Sequence, residues 1–269
     1  MCISPITLTG ENRTVPCGRC FKCLKMRRKE WSLRLEQELK VSKTAYFITL
    51  TYAEKGIISL CKDDAKLFIK ALRNQTKIKG IKYYMVGEYG ERTFRPHYHA
   101  LIFNISNNVD LATIQIAKAW NKGLIHVGNV NAKSINYTTK YMIQKYSTLL
   151  DTLPQPPFTL MSKGLGLGYI GQKIDGELVL NQRGTWHQEN VNNNFMTKEG
   201  GKKTILPRYY REKLYTSEVR EIQNQIADKK RMERLRALED SPQEYKNRFD
   251  SIENEKRQLE KSLKFNSKI

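Results

Sequence analysis

The segment GEYGERTFRPHYHALIF, residues 87–103, sets His97 and His99 two positions apart with Glu88 shortly upstream. Successive side chains of a strand point to opposite faces, so His97 and His99 project side by side while Tyr98 points away. Two adjacent imidazoles with a carboxylate in reach make three legs of a divalent-metal site. Further along, AKSINYTTKYMIQKYSTLL carries Tyr137 and Tyr141 one helical turn apart, with Lys140 between them. At about 100° per residue from Ile135, the side chains of Thr139, Met142, Tyr146 and Leu149 fall within about 40° of it, an apolar stripe. Tyr137 and Tyr141 fall at about 200° and about 240°, and Lys140 at about 140°. Both tyrosines are therefore expected on the face away from the buried stripe.

A tyrosine hydroxyl, with a pKa near ~10, is a poor nucleophile at neutral pH. It becomes competent toward a phosphodiester where a divalent ion polarises a non-bridging oxygen and offsets the developing charge. Such an attack leaves a 5′-phosphotyrosine and a free 3′-hydroxyl. A second tyrosine one turn away can attack a second phosphodiester while the first remains linked, and Lys140 can offset phosphate charge or supply a proton. The expected catalytic set is Tyr137, Tyr141 and Lys140. The expected metal set is His97, His99 and Glu88, holding Mg2+ or Mn2+.

Several elements must position these groups. Leu24, Trp31, Leu35 and Leu39 recur at helical spacing among basic residues, which predicts an amphipathic helix. AYFITLTY (45–52) is β-branched and aromatic and predicts a strand. DDAKLFIKALRNQ predicts a helix with Leu67, Phe68, Ala71 and Leu72 inward. IKYYMVGE and HYHALIF predict two strands, DLATIQIAKAWN a helix, and GLIHVGNV a short strand before the tyrosine helix. This β-α-β-β-α-β order is that of a split βαβ, an α+β fold with an antiparallel sheet and helices on one side. The expected divisions are a cysteine-bearing lead-in with a basic helix (1–44), a catalytic core (45–150), a loop-rich extension (151–207) and a charged helical region (208–269). No internal repeat is present.

The 269 residues carry a formal charge of +20, which fits a polyanionic partner, nucleic acid first and an anionic membrane second. No apolar run approaches ~18 residues, and the N-terminus lacks the layout of a signal peptide, so the expectation is a soluble, intracellular protein. Five cysteines argue against a disulfide scaffold. Cys17, Cys20 and Cys23 follow CxxCxxC spacing, and with Cys2 they would complete a four-thiolate zinc site; an iron–sulfur site and free thiols are the alternatives. Cys61 is expected as a buried packing residue, and His126 and His187 as structural. The basic KMRRKEW segment and the C-terminal basic clusters are expected as solvated faces that also contact phosphates.

RPHYHALIF resembles the histidine–bulky residue–histidine motif of the HUH endonucleases, YFITLTY their first motif, and YTTKY the two-tyrosine motif of initiators of small single-stranded DNA phages. With VPCGRCFKC, GEYG, FTLMSKGLGLG and PRYYREKL, the pattern is similar to the replication initiation proteins of gokushovirus-type microviruses, from about Cys2 to Leu214. The resemblance implies a histidine strand at the centre of an antiparallel sheet with the tyrosine helix beside it. It implies His97 and His99 as metal ligands, Tyr137 and Tyr141 as nucleophiles, and Glu88 as third ligand, with Glu91 the alternative on the same loop. Thr49 and Thr51 fall in the first motif, as structural support and DNA contacts. It further implies nicking of single-stranded or unwound origin DNA in rolling-circle replication, a 3′ end for the host DNA polymerase, and rejoining of the displaced strand into a circle, in the cytoplasm of a bacterial host. No G-x-x-x-x-G-K-[ST] occurs, so unwinding is expected from a host helicase. A plasmid initiator or two-tyrosine transposase would share the chemistry; a basic zinc-containing DNA-binding protein or a DNA-coating scaffold would lack it.

Overall fold

The computed structural model describes residues 2, 4–10, 13–53, 56, 59–90, 94–144, 154–192, 195–197, 201, 203–239 and scattered positions of 243–257. Residues 1–183 and 184–269 form two compact units. Among the described residues, no helix is long and apolar enough to cross a membrane.

The first unit opens with a hairpin of β1 (Ile6–Leu8) and β2 (Arg13–Val15), in which Ile6 pairs with Val15. Helix α1 (Phe21–Val41) follows, then β3 (Ala45–Tyr52), α2 (Lys62–Thr76), β4 (Lys82–Tyr89), β5 (Pro96–Phe103), α3 (Val109–Ala119), β6 (Gly123–Asn129) and α4 (Ala132–Gln144). The split βαβ expected from the sequence is therefore present. A further strand, β7 (Phe158–Met161), joins the sheet edge, giving the antiparallel order β6-β3-β5-β4-β7 with the histidine strand β5 central. A 3-10 turn (Leu167–Tyr169) and the hairpin of β8 (Gly171–Ile174) and β9 (Glu177–Leu180) complete the unit.

The α+β class and the antiparallel sheet are as expected, but helices cover both sheet faces instead of one. On one face Tyr46, Ile48, Leu50, Tyr98, Ala100 and Ile102 pack with Phe68, Ile69 and Leu72 of α2 and Ala112 and Ile116 of α3. These are the two helices of the split βαβ. The opposite face carries Tyr84, Val86, Leu101 and Phe103, buried under Trp31 and Leu35 of α1 and Ile135 and Tyr141 of α4. A central strand that is apolar on both sides exposes area worth about 25 cal/mol per Å² if left uncovered, so the second helical layer follows from Leu101 and Phe103. Gly87 of β4 allows close approach at the sheet edge, since a Cβ there would lie 3.0 Å from the Phe158 ring.

Three local expectations are corrected. Leu67 faces solvent at 56% exposure, because the inward arc of α2 is Ala65, Phe68, Ile69 and Leu72; Leu67 lies about 100° from Phe68 on the side away from that arc. Cys61 is half-buried and caps α2, its sulfur accepting from the Asp64 N–H at 3.5 Å. The strands β7, β8 and β9 lie in the stretch expected as loop-rich. The end of α1 is anchored by Glu38, 1% exposed, whose carboxylate accepts from Lys82 Nζ (2.8 Å) and from the Gly166 N–H (2.8 Å).

The second unit holds most of α5 (Gln182–Glu189), the hairpin of β10 (Phe195–Thr197) and β11 (Lys203–Ile205), α6 (Arg208–Leu214) and α7 (Ser217–Glu239). Tyr215 Oη donates to the His187 carbonyl at 3.1 Å, and His187 is buried, as expected of a structural histidine. Ile222, Ile226 and Met232 of α7 are exposed.

Candidate active site

Register places the polar groups of the second sheet face. Glu88 of β4 pairs with His97 of β5, and Val86 with His99. On the other side of β5, Thr51 pairs with His97 and Thr49 with His99. Because paired residues share a face, Glu88, His97, His99, Thr49 and Thr51 crowd together where α4 crosses the sheet.

His99 lies at the centre and is 6% exposed, as is Glu88. Its Nε2 lies 2.8 Å from Glu88 Oε1 and its Nδ1 3.0 Å from Thr49 Oγ1. An ionised carboxylate only accepts, so here Nε2–H donates to Glu88 and the Thr49 hydroxyl donates to Nδ1. A hydroxyl also accepts, so Thr49 can serve the opposite tautomer, in which Nε2 offers its lone pair outward. His97 is already in that state. Its Nδ1 lies 2.7 Å from the Arg95 carbonyl, which can only accept, so Nδ1 holds the proton and Nε2 the lone pair. Burial holds the His97 pKa below the ordinary histidine value, against the Arg95 carbonyl, which raises it. The neutral imidazole is thereby favoured. The two imidazoles lie parallel, 6.5 Å apart between ring centres.

Both tyrosines of α4 reach this group. The Tyr141 ring stacks on His99 at 5.5 Å, the Tyr137 ring meets it edge-on at 5.1 Å, and the two tyrosine rings are 5.2 Å apart. Lys140 Nζ sits 5.3 Å from the Tyr137 ring centre and 5.5 Å from that of Tyr141. Tyr137 is 36% exposed, whereas Tyr141 is 6% exposed. The helical wheel put both on the face away from the core, and for Tyr141 that is corrected. The buried arc of α4 runs through Tyr141, Thr138, Ile135 and Thr139, wider than the stripe of the wheel because α4 lies between the sheet and α1. The α1 contact is polar, with Ser32 Oγ 2.9 Å from Thr139 Oγ1 and Arg28 donating to the Asn136 carbonyl at 3.3 Å.

Phe47 is not among the residues that the motifs single out, yet its ring stacks on His99 at 5.8 Å and meets Tyr137 edge-on at 5.9 Å. Alternation in YFITLTY carries the signal, because Phe47, Thr49 and Thr51 share a face. His126 pairs with Thr49 on β6 and is exposed on the same side. Behind the site, Tyr98 Oη accepts from the Cys61 N–H at 2.8 Å and shares a 2.8 Å hydrogen bond with Tyr52 Oη. Burial pushes the Tyr98 phenol up to about 12 and that of Tyr52 further. Glu91, Tyr146 and Leu149 lie outside the described residues, as does the side chain of Met142.

The cysteines gather elsewhere. Among the described residues, Cys2, Cys17, Cys20 and Cys23 are the group of candidate ligands whose donor atoms all lie within 4.8 Å of one another, and they could hold a metal ion. Cys2 Sγ lies 3.5 Å from Cys17 Sγ and 3.7 Å from Cys20 Sγ, and Cys17 Sγ lies 4.0 Å from Cys23 Sγ. The backbone N–H groups of Cys20 and Arg19 lower the Cys17 pKa, while burial pushes Cys23 up to about 12. The donors of His97, His99 and Glu88 are not gathered to the same degree.

Residues 45–146, from β3 through α4, match the family model of the replication-associated protein ORF2. The chain is similar to Replication-associated protein ORF2 of Spiroplasma virus 4, 29% identical over 226 residues that span 74% of this chain and 67% of that protein. It is also similar to Replication-associated protein VP4 of Bdellovibrio phage phiMH2K, 27% identical over 221 residues, 73% of this chain and 66% of that one. The matched region thus spans about two thirds of either relative. Among solved structures, the crystal structure of the hypothetical protein ORF119 from Sulfolobus islandicus rod-shaped virus 1 aligns at 18% identity and a TM-score of 0.29, over 43% of this chain and 92% of that one.

Proposed function

We propose that this chain is a replication initiator of a small phage, which nicks single-stranded or unwound origin DNA by tyrosine attack and rejoins the displaced strand into a circle. One observation carries the reading: two tyrosine rings, a buried carboxylate and a second imidazole all surround His99. The kinship with replication-associated proteins of small phages supports the biological setting.

The donor set fits a hard divalent ion. His97 Nε2 has its lone pair available, Glu88 brings a carboxylate, and Thr49 lets His99 release Nε2 to a ligand role. A bound Mg2+ or Mn2+ would supply Lewis-acid charge to the non-bridging oxygens of the scissile phosphate. The remaining work falls to the chain itself. Tyr137, the more exposed phenol, bonds through Oη to phosphorus as the bond to the 3′ oxygen breaks. The 5′ end stays on the tyrosine and the 3′-hydroxyl leaves free. Lys140, close to both rings, relays the phenolic proton to the departing oxygen and offsets phosphate charge. Tyr141 then serves the second transfer, and its stacking on His99 keeps it in the same pocket. The 3′ end primes the host DNA polymerase, a host helicase unwinds the duplex, and the setting is the cytoplasm of the bacterial host.

The test is incubation of the protein with a labelled single-stranded phage-origin oligonucleotide and Mn2+. The expected product is a covalent protein–5′-DNA adduct, absent when Tyr137→Phe and Tyr141→Phe are combined. His97→Ala should lose cleavage and retain DNA binding. A retarded but uncut oligonucleotide would instead make the protein a DNA-binding module. Cleavage confined to the ends of a mobile element would make it a transposase.

A further inference from the structure

We propose that Cys2, Cys17, Cys20 and Cys23 bind one structural Zn2+, which pins the amino-terminal hairpin to α1 and through α1 steadies the tyrosine helix. Four ligands at the corners of a tetrahedron, with zinc–sulfur bonds of about 2.3 Å, are separated by about 3.8 Å. The sulfur–sulfur distances of 3.5, 3.7 and 4.0 Å bracket that edge. They are far beyond the ~2.05 Å of a disulfide, and all five cysteines of the chain are free thiols.

The backbone is arranged for the same purpose. The β1–β2 hairpin folds the chain back so that Cys2 returns to Cys17. Gly18 takes φ +74°, a left-handed conformation that glycine adopts at little cost. That turn brings the Cys20 N–H to Cys17 Sγ at 3.2 Å, and the Cys17 N–H reaches Cys2 Sγ at 3.3 Å. Backbone N–H donors to sulfur stabilise thiolates and orient them, as outer-shell groups do around metal sites. Cys20 caps α1 and Cys23 lies in its first turn, so a metal on these sulfurs ties hairpin and helix together. The same helix carries Arg28 and Ser32, which hold Asn136 and Thr139 of α4. A soft tetrathiolate set selects zinc or an iron centre over Mg2+ or Mn2+, which separates this site chemically from the histidine cluster.

The experiment is metal analysis of the full chain purified in chelator-free buffer with zinc present, alongside Cys17→Ser/Cys20→Ser and His97→Ala/His99→Ala variants. The expected result is one zinc per chain in the parent and the histidine variant, and less than ~0.1 in the cysteine variant. Cobalt exchange of the parent should give the visible absorption of a tetrahedral thiolate complex. Parent protein without zinc, iron in place of zinc, or zinc kept by the cysteine variant would each overturn the proposal. Should the cysteine variant not fold, parent stoichiometry and the cobalt spectrum decide. None of these readouts uses DNA cleavage, so the zinc site and the nicking activity stand or fall separately.

Discussion

Thr49→Val removes one hydroxyl from beneath the candidate site and keeps the β-branched shape that β3 favours. The hydroxyl lies 3.0 Å from Nδ1 of His99, a ring only 6% exposed, so no water is at hand to replace it. Metal binding through Nε2 requires the proton on Nδ1, where it needs an acceptor. A buried donor left without one costs about 1–3 kcal/mol. Part of that is offset because the metal-free tautomer also loses its partner. The hydrogen bond is stronger when the imidazole is polarised by a cation, which leaves a differential of about 1–2 kcal/mol. The Mn2+ concentration for half-maximal cleavage should therefore rise ~5–30-fold, and direct Mn2+ titration by calorimetry should shift by the same factor. Thr49→Ser keeps the hydroxyl and should restore both. An unchanged Mn2+ dependence in Thr49→Val, or equal impairment in Thr49→Ser, would refute the tautomer argument.

Lys140→Met keeps the length of a side chain that sits over both tyrosine rings; single-turnover cleavage should fall about 10²-fold with oligonucleotide affinity little changed, and equal losses would reduce Lys140 to a phosphate contact. Glu38→Gln leaves Lys82 and the Gly166 N–H without their carboxylate and should lower stability to urea by about 2–3 kcal/mol, the lower part of the range for broken buried pairs because Lys82 is partly exposed; a shift below ~0.5 kcal/mol would show that the pair contributes little. Tyr98 has its folded pKa raised to about 12, above the unfolded value near ~10. Its contribution is intact below ~10 and is lost as pH rises toward about 12, by about 1.4 kcal/mol per pH unit. Urea midpoints measured across that window should fall less steeply in Tyr98→Phe than in the parent.

Much of the first unit was legible because its periodicities are strong. The i/i+2 pattern in AYFITLTY and HYHALIF and the apolar spacing of α2 and α3 place four strands and two helices in the observed order. The side-by-side histidines follow from alternation alone, and the tyrosines one turn apart from helical pitch. The errors arose where burial depends on a neighbour. Leu67 looked inward on a list of apolar residues, but the arc facing the sheet lies elsewhere. Tyr141 was placed on the outer face because a wheel shows one helix by itself and not the sheet and α1 flanking it. The short strands β7 to β9 carry too few residues for a period to emerge.

The cysteine cluster shows the same division. Spacing brings Cys17, Cys20 and Cys23 together, since the two-residue gaps are closed by local turns. The return of Cys2 depends on strand pairing between Ile6 and Val15, a contact that no local spacing dictates.

Residue type and local period determined by themselves which groups could do chemistry: a histidine pair on one strand face, two phenols one turn apart and a basic surface. Only the tertiary structure decided that they meet. Cross-strand register sets Glu88 and Thr49 on either side of His99, and the crossing of α4 over that face brings both tyrosine rings to it. Register and crossing are fixed by long-range burial of apolar area, summed over the whole sheet, which is why no short segment of the chain contains them.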